Sequence, residues 1–520
     1  MSLRLYNSRT RTVEPFAPLD PQDVRIYVCG LTPSAEAHLG HARSFLFFDV
    51  LRRYLTKRGY RVNYVQNVTD IDDRSIEAAR TSGTPWYDVV EGYFTSFKRS
   101  MDRLRVLEPD REPRATQYVP QIVAMIGELV ASGHAYAEGD GVYFAVRSFP
   151  RYGALSGRNL DELQIGARIA PGEHKRDPLD FALWKFAKPG EPAWPSPWGD
   201  GRPGWHIECS AMSHALLGEP FDIHGGGFDL IFPHHENEIA QTEALYGPPM
   251  ANVWMHGGLL NFDGRKMSKS LGNFEPLSAL LDRHDPQAIR LLFLQAGYRK
   301  PQNITEYDIE GKTTALRRLQ AAYDELRTAP AAAPDASHAR DESEAVARLR
   351  GRFEAALDDD LNTSEAVTVL FGLASSVTAT IAAGDASAAA AFMHEAMTVL
   401  GISPHDRAPG SNAVIRAAST TDLAAEIGGV RYSIVSRGAE HLPNDALERL
   451  RAALGDLVPL DRDAAPDAVN AIVEARLRAK SARDFALADR LREALAGIGV
   501  AIADGKPRDG RGEVTWSAGV

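Results

Sequence analysis

Residues 25–65 read RIYVCGLTPSAEAHLGHARSFLFFDVLRRYLTKRGYRVNYV. The stretch opens on a short apolar run, Arg25-Ile26-Tyr27-Val28-Cys29, halted by Gly30, which is the pattern of a buried strand. From Phe47 onward, Val50, Leu51, Tyr54 and Leu55 recur at helical spacing, and Gly59 stands where that helix would end. Val62-Asn63-Tyr64-Val65 then returns to strand character. Two strands bracketing a helix make a βαβ unit, whose crossover sets the strands parallel in a Rossmann-like sheet. The expected fold class is α/β.

Outward from this unit the rhythm breaks between about Pro120 and Pro203, a stretch ending in the Gly-, Pro- and Trp-rich EPAWPSPWGDGRP. It reads as an insertion. The α/β pattern resumes at Phe221-Asp222-Ile223-His224, before a triple glycine, and again at Val253-Trp254-Met255-His256. Beyond Lys266 the chain turns helical. Leu316, Leu319, Tyr323 and Leu326 share one face, as do Val346, Leu349, Phe353 and Leu357. A Pro/Ala-rich linker, Pro330 to Ser337, separates the two. Asn362 with Glu365 reads as a capping box opening another helix. A less regular stretch, about His405 to Pro466, precedes a charged helix at about Arg476 to Leu495. The division expected is a Rossmann-like catalytic domain (1–119 and 203–264), an insertion (120–202), a motif-bearing segment (265–315), a helical bundle (316–404), an atypical connector (405–465) and a small C-terminal domain (466–520).

At 520 residues, 44% apolar and 24% charged, the chain has ordinary globular composition and room for about three to five domains. No window approaches the roughly 18 uncharged apolar residues of a membrane helix. The opening MSLRLYNSRTRT has no apolar signal core, so a cytosolic location and no membrane partner are expected. A net charge of −11 excludes a uniformly basic, non-specific nucleic-acid binder but leaves room for a local basic patch. Two cysteines in so long a chain make no disulfide framework.

Three constellations carry chemistry. His38-Leu39-Gly40-His41 follows the first strand and enters the helix, where unpaired N–H groups and the positive dipole end suit a nucleotide's phosphates. Gly40 allows close approach, and the two imidazoles can donate to a triphosphate as its charge shifts. Taken alone, such a string is more often two surface histidines at a turn. The second constellation, Lys266-Met267-Ser268-Lys269-Ser270, lies about 225 residues later between Asp263-Gly264-Arg265 and Leu271-Gly272-Asn273. Two ammonium groups on a glycine-flanked loop can neutralise a departing pyrophosphate, although most Lys-Ser strings are solvated loops. The pair is far more specific than either half and reads as nucleotide activation.

The third constellation is metal-like. His234 and Glu238 are i and i+4, on one helix face after Pro233. Cys209 lies in Trp205-His206-Ile207-Glu208-Cys209, and Cys29 ends the first strand, the edge where parallel sheets bind ligands. Two thiolates, an imidazole and a carboxylate are an acceptable zinc set. The alternatives are a purely structural zinc or no metal, and His206, His224 and His235 are rival ligands. A soft metal would bind a substrate thiolate directly, a discrimination against serine that an apolar pocket achieves poorly.

At this point the sequence resembles the cysteinyl-tRNA synthetases, class I enzymes with HIGH and KMSKS motifs. The resemblance covers nearly the whole chain. It runs through Tyr27-Val28-Cys29-Gly30, Asn67-Val68-Thr69-Asp70-Ile71-Asp72-Asp73, Gly204 to Met212, His224-Gly225-Gly226-Gly227 and Phe232 to Glu238 to the Lys266 motif. It implies Cys29, Cys209, His234 and Glu238 as ligands of one Zn2+. His38, Gly40, His41 and Lys269 would contact ATP, which arrives with Mg2+, and His38, His41, Lys266 and Lys269 would carry catalysis. Thr69 and Trp205 would line the cysteine pocket, with His224 and Asp229 beside it. Read from the residues alone, Trp205 is equally a core aromatic, and Asp70, Asp72 and Asp73 a helix-capping cluster. The implied reaction joins L-cysteine to tRNA(Cys) with ATP, with 265–315 contacting the acceptor stem and 466–520 binding the anticodon. Nothing demands a dimer, so a monomer is expected.

One departure stands out. The family usually carries an aromatic–acid pair before the HIGH motif, where this chain has Ser34 and Ala35. Two rival readings follow. The mycothiol-pathway cysteine ligases share both motifs and the zinc set but pass cysteine to a small amine and lack a full C-terminal segment. A non-catalytic relative would keep the fold alone. The length of the C-terminal part, with the basic run Ala475 to Lys480 and Trp516, favours tRNA.

Overall fold

The computed structural model describes residues 2–159, 174–262, 275–329 and 343–404 and the backbone of 265–266. Beyond these it describes 423–427, 430–437, 469, 472–473, 476, 485–496, 500–504 and 511–518. The chain forms two compact units, Met1–Pro409 and Gly410–Val520.

In the first unit, β1 (Asp23–Leu31), α1 (Leu39–Lys57) and β2 (Arg61–Val68) make the βαβ unit expected, with β1 and β2 parallel. Side chains of β1 alternate in the way a two-sided strand requires. Val24, Ile26 and Val28 enter one apolar core, and Tyr27 and Cys29 enter another on the opposite face. Helix α1 lays Phe45, Phe48, Leu51, Tyr54 and Leu55 into the first core, each buried aromatic or aliphatic side chain being worth about 1.5–3 kcal/mol. It ends at Gly59, whose φ of 91° is the left-handed conformation that stops a helix. Gly30 does not halt β1, which continues to Leu31. Its reason is proximity: a Cβ there would lie 1.6 Å from the Asn67 carbonyl oxygen, while the Gly30 N–H donates to Asn67 Oδ1 at 2.8 Å.

Helix α2 (Asp73–Ser82) follows β2 directly. The next region begins with α3 (Val119–Ala131) and builds its own antiparallel sheet from β3 (Ala135–Glu138), β4 (Gly141–Phe144), β5 (Phe181–Phe186) and β6 (Gly201–Pro203). Trp184, fully buried, anchors the Gly/Pro/Trp-rich tail by donating from Nε1 to the Gly199 carbonyl at 3.2 Å.

The parallel sheet is completed by α4 (Trp205–Leu217), β7 (Phe221–Gly227), α5 (Glu236–Tyr246) and β8 (Ala251–Gly257). The strand order is β8-β7-β1-β2, so the chain leaves β1 in one direction and later returns to its other side. The switch point lies between β1 and β7, and a parallel sheet opens its ligand crevice at the carboxyl ends of those strands.

After β8, β9 (Leu260–Phe262) pairs antiparallel with β10 (Arg265–Lys266). Next come α6 (Pro286–Leu294), β11 (Gln302–Ile304), which pairs parallel with β9, and α7 (Glu306–Thr328). The bundle then comprises α8 (Glu344–Asp358), α9 (Thr363–Ser375) and α10 (Ala386–Val399). Leu316, Leu319, Tyr323 and Leu326 are buried together, as are Val346, Phe353 and Leu357, while Leu349 packs at the margin. Helix α7 starts ten residues before the bundle boundary read from sequence, because Thr305 and Asp308 form a capping box there. Asn362 caps α9 by accepting from the Glu365 N–H. The Pro330–Ser337 linker lies outside the described residues.

The far end of α1 is tied to this bundle. Tyr54 Oη donates to Asp358 Oδ1 at 2.7 Å, Arg58 pairs with the same carboxylate at 2.7 Å, and Lys57 meets Glu354 at 2.6 Å. Midway along α1, Asp49 pairs with the fully buried Arg290 of α6.

In the second unit, β12 (Leu423–Ile427), β13 (Val430–Arg437), β14 (Val500–Asp504) and β15 (Arg511–Ala518) form one sheet of order β12-β13-β15-β14. Strands β12 and β13 fall in the stretch read from sequence as an irregular connector, yet β13 pairs with β15 at the chain's end. The sheet therefore draws on both sides of the expected boundary at 465. The charged C-terminal helix, α11, runs Phe485–Ala496. Arg476 is also helical and is buried.

Candidate active site

The HLGH motif is itself the cap of α1. His38, in extended conformation, accepts the Gly40 N–H on Nδ1 at 3.0 Å, and His41 Nδ1 accepts the His38 N–H at 3.2 Å. The rings stack at 4.0 Å. A Cβ at Gly40 would lie 2.8 Å from the His38 ring, so only glycine permits this reciprocal cap. Burial, then the neighbouring His38 and Arg74, lowers the His41 pKa to about 3, so its ring is neutral at pH 7. Burial likewise lowers His38, with the Asp229 carboxylate opposing it. Asp229, exposed after β7, thus belongs to the HLGH side of the crevice.

The triple glycine ends β7 against this cap. Gly225 packs on the Phe48 ring of α1, where a Cβ would be 2.2 Å from the ring, and Gly227 lies beside Ser44 and Asp229. The strand end thus offers bare backbone beside the N-terminus of α1.

On the other side of β1 the metal-like residues converge. Cys29 comes from the end of β1, Cys209 from α4, and His234 and Glu238 from the turn into α5. All four are buried, and their ligand atoms lie within 4.8 Å of one another. Cys29 Sγ is 3.8 Å from Cys209 Sγ and 3.5 Å from Glu238 Oε1, and His234 Nε2 is 3.0 Å from Glu238 Oε1. Two thiolates bound tetrahedrally at about 2.3 Å stand about 3.8 Å apart, so the sulfur spacing fits zinc.

The electrostatics agree. Burial raises the Glu238 carboxyl, but His224 and His234 together hold it well below the usual range. Burial lowers His234, yet Glu238 and Cys209 bring it up to about 10. Burial raises Cys209, but the Cys29 thiol and His234 pull it down to about 6. Burial, then Cys209 and Glu238, pushes the Cys29 thiol well up, so without an ion the cluster favours one thiol, one thiolate, an imidazolium and a carboxylate, and a divalent cation would displace the thiol and imidazolium protons.

The rival ligands differ in what they touch. His206 Nδ1 lies 3.0 Å from His234 Nδ1 and belongs to neither ligand quartet among the described residues; it orients the His234 ring. His224 and His235 form an alternative quartet with Cys29 and Glu238. His224 Nε2 engages Glu238 Oε2 at 2.8 Å and His235 Nδ1 engages His256 Nε2 at 2.8 Å, while His224 Nδ1 and His235 Nε2 have no hydrogen-bond partner among the described residues, so each keeps a ring nitrogen for an ion.

The remaining residues divide. Trp205 heads α4 with its ring 4.4 Å from that of His234 and the Arg74 guanidinium 5.8 Å above it. Thr69 is buried, its N–H donating to the Leu31 carbonyl and its hydroxyl accepting from Asn67 Nδ2. The acidic run after it is architectural: Asp70 accepts from Thr116, Asp72 caps α2 through the Ser75 N–H, and Asp73 pairs with Lys185 and Arg202. Lys266 stands on β10, and Lys269 lies outside the described residues. Ser34 and Ala35 are half-buried in the link between β1 and α1.

Glu208 carried no assigned role in the sequence reading, and the structure buries it completely beside Cys209. Burial holds its carboxyl well above the usual range. Its signal is a lone acid inside the apolar run Ile207 to Met212, since a buried glutamate is rare without a task.

Comparison with known proteins shows the family of the chain. Residues 15–314 match the family of tRNA synthetases class I (C) catalytic domain, and residues 352–403 match the DALR domain. The chain is 45% identical to the cysteine--tRNA ligase of Halorhodospira halophila over 96% of its length and 97% of the relative's. It is 43% identical to that of Pseudomonas aeruginosa over 99% of both. Among solved structures it resembles a Mycobacterium tuberculosis methionyl-tRNA synthetase (TM-score 0.54, 15% identity, 73% of this chain and 89% of that one). An Agrobacterium radiobacter LeuRS in a tRNA complex gives TM-score 0.54 at 13% identity over 97% of both chains. At such identities the likeness is of fold alone.

Proposed function

The chain belongs to the cysteine--tRNA ligases of the class I tRNA synthetases, and from that premise we propose how its residues activate L-cysteine and pass it to tRNA(Cys). The observation that carries the reading is the buried Cys29–Cys209–His234–Glu238 cluster, on the same strand edge as the HLGH cap. Those four side chains would hold zinc, which when bound supplies a soft centre for the substrate's thiolate.

Trp205 and Thr69 wall the space beside the cluster, with His224 fixing the Glu238 carboxylate and Asp229 reaching the HLGH side. The neutral rings of His38 and His41 carry N–H donors toward the phosphates at the N-terminus of α1, where Gly40 admits them. Lys266 and Lys269 balance the charge of the departing pyrophosphate, and Mg2+ accompanies ATP. A cysteine carboxylate oxygen bonds to the α-phosphorus as the bond to pyrophosphate breaks, giving cysteinyl-adenylate. The terminal ribose hydroxyl of tRNA then bonds to the acyl carbon, and AMP leaves with the electron pair of the mixed anhydride. Residues 265–315 contact the acceptor stem, and the C-terminal residues 466–520 read the anticodon. No covalent enzyme intermediate is needed, so catalysis is positioning and charge stabilisation.

The test is acylation of tRNA(Cys) with radiolabelled cysteine against serine, before and after zinc removal. Zinc-dependent charging that rejects serine is expected. Cysteine-dependent pyrophosphate exchange without charging would instead identify a ligase for a small amine, and neither activity in metal-loaded protein would overturn the reading.

A further inference from the structure

Arg43 stands on α1 two residues beyond His41 and is 5% exposed. Its Nη1 donates to the carbonyl oxygens of Gly258 at 3.0 Å and Leu259 at 2.8 Å. Its Nη2 donates to the carbonyl of Lys300 and, at 3.4 Å each, to those of Gly297 and Tyr298. Every one of these acceptors is main chain. Burial lowers the guanidinium to about 10, with no carboxylate acting on it. Enclosing a cation among carbonyl dipoles alone is costly, so stability is a poor reason for this residue.

What the fork does is join three segments that the reaction needs in register. The first is the N-terminus of α1 with its histidine cap. The second is Gly258-Leu259, which runs directly into β9 and its partner β10, the strand of Lys266. The third is the turn at 297–300, which leads to β11 on the other edge of β9. Gly258 tightens the joint: its N–H donates to the Tyr298 carbonyl at 2.7 Å, and a Cβ would lie 2.5 Å from the Arg299 carbonyl oxygen.

We propose that Arg43 is a positioning residue for ATP activation, locking the β9–β10 hairpin against the N-terminus of α1 so that Lys266 and the His38–His41 cap address one triphosphate. This rests on the reading above, in which both motifs act on ATP. A guanidinium presents five donors in a rigid plane, and a lysine with one mobile ammonium cannot span the same five carbonyls.

The experiment compares Arg43→Met and Arg43→Lys with the full-length parent in two steps. Cysteine-dependent ATP–pyrophosphate exchange, normalised to titrated active sites, reads activation. Single-turnover transfer from preformed enzyme-bound cysteinyl-adenylate to tRNA(Cys) reads the second step. Displacing a reacting group by about 1 Å costs up to about 100-fold, so R43M should lose about 100-fold in exchange kcat. R43K, which keeps the charge and most of the volume, should lose less. The KM for cysteine should stay within about 2-fold, and the transfer rate should not change. Undiminished exchange per active site, or an equal fall in both steps, overturns the proposal and leaves Arg43 a structural residue. A parent chain without cysteine-dependent exchange overturns the ATP reading itself, and this proposal with it.

Discussion

The two faces of the parallel sheet differ in what they bury. On one, Val24, Ile26 and Val28 meet α1, and the apolar core continues without interruption into the bundle. On the other, Tyr27 and Cys29 meet α4 and the inserted region, and the core encloses thiols, imidazoles and carboxylates. One strand, alternating side to side, serves both. The comparison teaches that this fold separates holding from reacting by strand parity, and that the HLGH cap sits where the two faces meet at the switch point.

Four changes would break or sharpen that division. Cys209→Ser, on the reacting face, should abolish stoichiometric zinc and lower cysteine-dependent exchange by at least ~1,000-fold, beyond the 10–100-fold typical of outer-shell changes. Its melting temperature in metal-free buffer should stay close to that of the metal-free parent; a collapse of the fold would erase the distinction. Phe48→Ala, on the holding face, should cost about 3–5 kcal/mol in urea unfolding, because the ring fills the space between α1 and Gly225. Exchange per folded active site should survive that change, and its disappearance would show that both faces react.

At the meeting point the effects should mix. His38→Ala removes a helix cap worth about 1 kcal/mol and a phosphate contact worth about 100-fold in exchange, measured by calorimetry and by kinetics. The smallest effect is one of pH. His41 titrates at about 3 in the folded chain, against about 6.5 when unfolded. The unfolded state therefore binds its proton first, so stability is complete above about pH 6.5 and erodes as the pH falls toward 3. Melting temperatures of His41→Asn between pH 7 and pH 4 should fall less steeply than those of the parent, and parallel curves would refute the assignment.

The holding face was the more legible in sequence, because apolar periodicity is a local property. Residues 25–65 alone predicted β1, α1 and β2, and the 316–326 and 346–357 faces predicted two bundle helices. Strand β12 has no clean alternation; β13 was missed although Val430 to Ile434 alternates apolar and polar residues, and its partner β15 lies some eighty residues away. On the reacting face, i,i+4 spacing and strand-end placement pointed to His234, Glu238 and Cys29. Spacing did not separate His206, His224 and His235 from the candidate ligands; the fold sets His206 outside both quartets and keeps His224 and His235 in the second. Arg43 was invisible, since its five partners are carbonyls that every residue type possesses.

The ligand cluster also has a chronology. Cys29 and Glu238, in contact when folded, are 209 residues apart along the chain. At about 5–20 residues per second, a ribosome needs roughly 10–40 s to deliver the second after the first. Until Cys209 is made, 180 residues on, β1 has its thiol but none of the other three candidate ligands, and the inserted region, closing on near neighbours, can finish its own sheet first. The candidate metal cluster thus closes only after the inserted region has been made, so a nascent chain that stalls before residue 209 holds a sheet edge and an unguarded sulfur but no second thiol beside it.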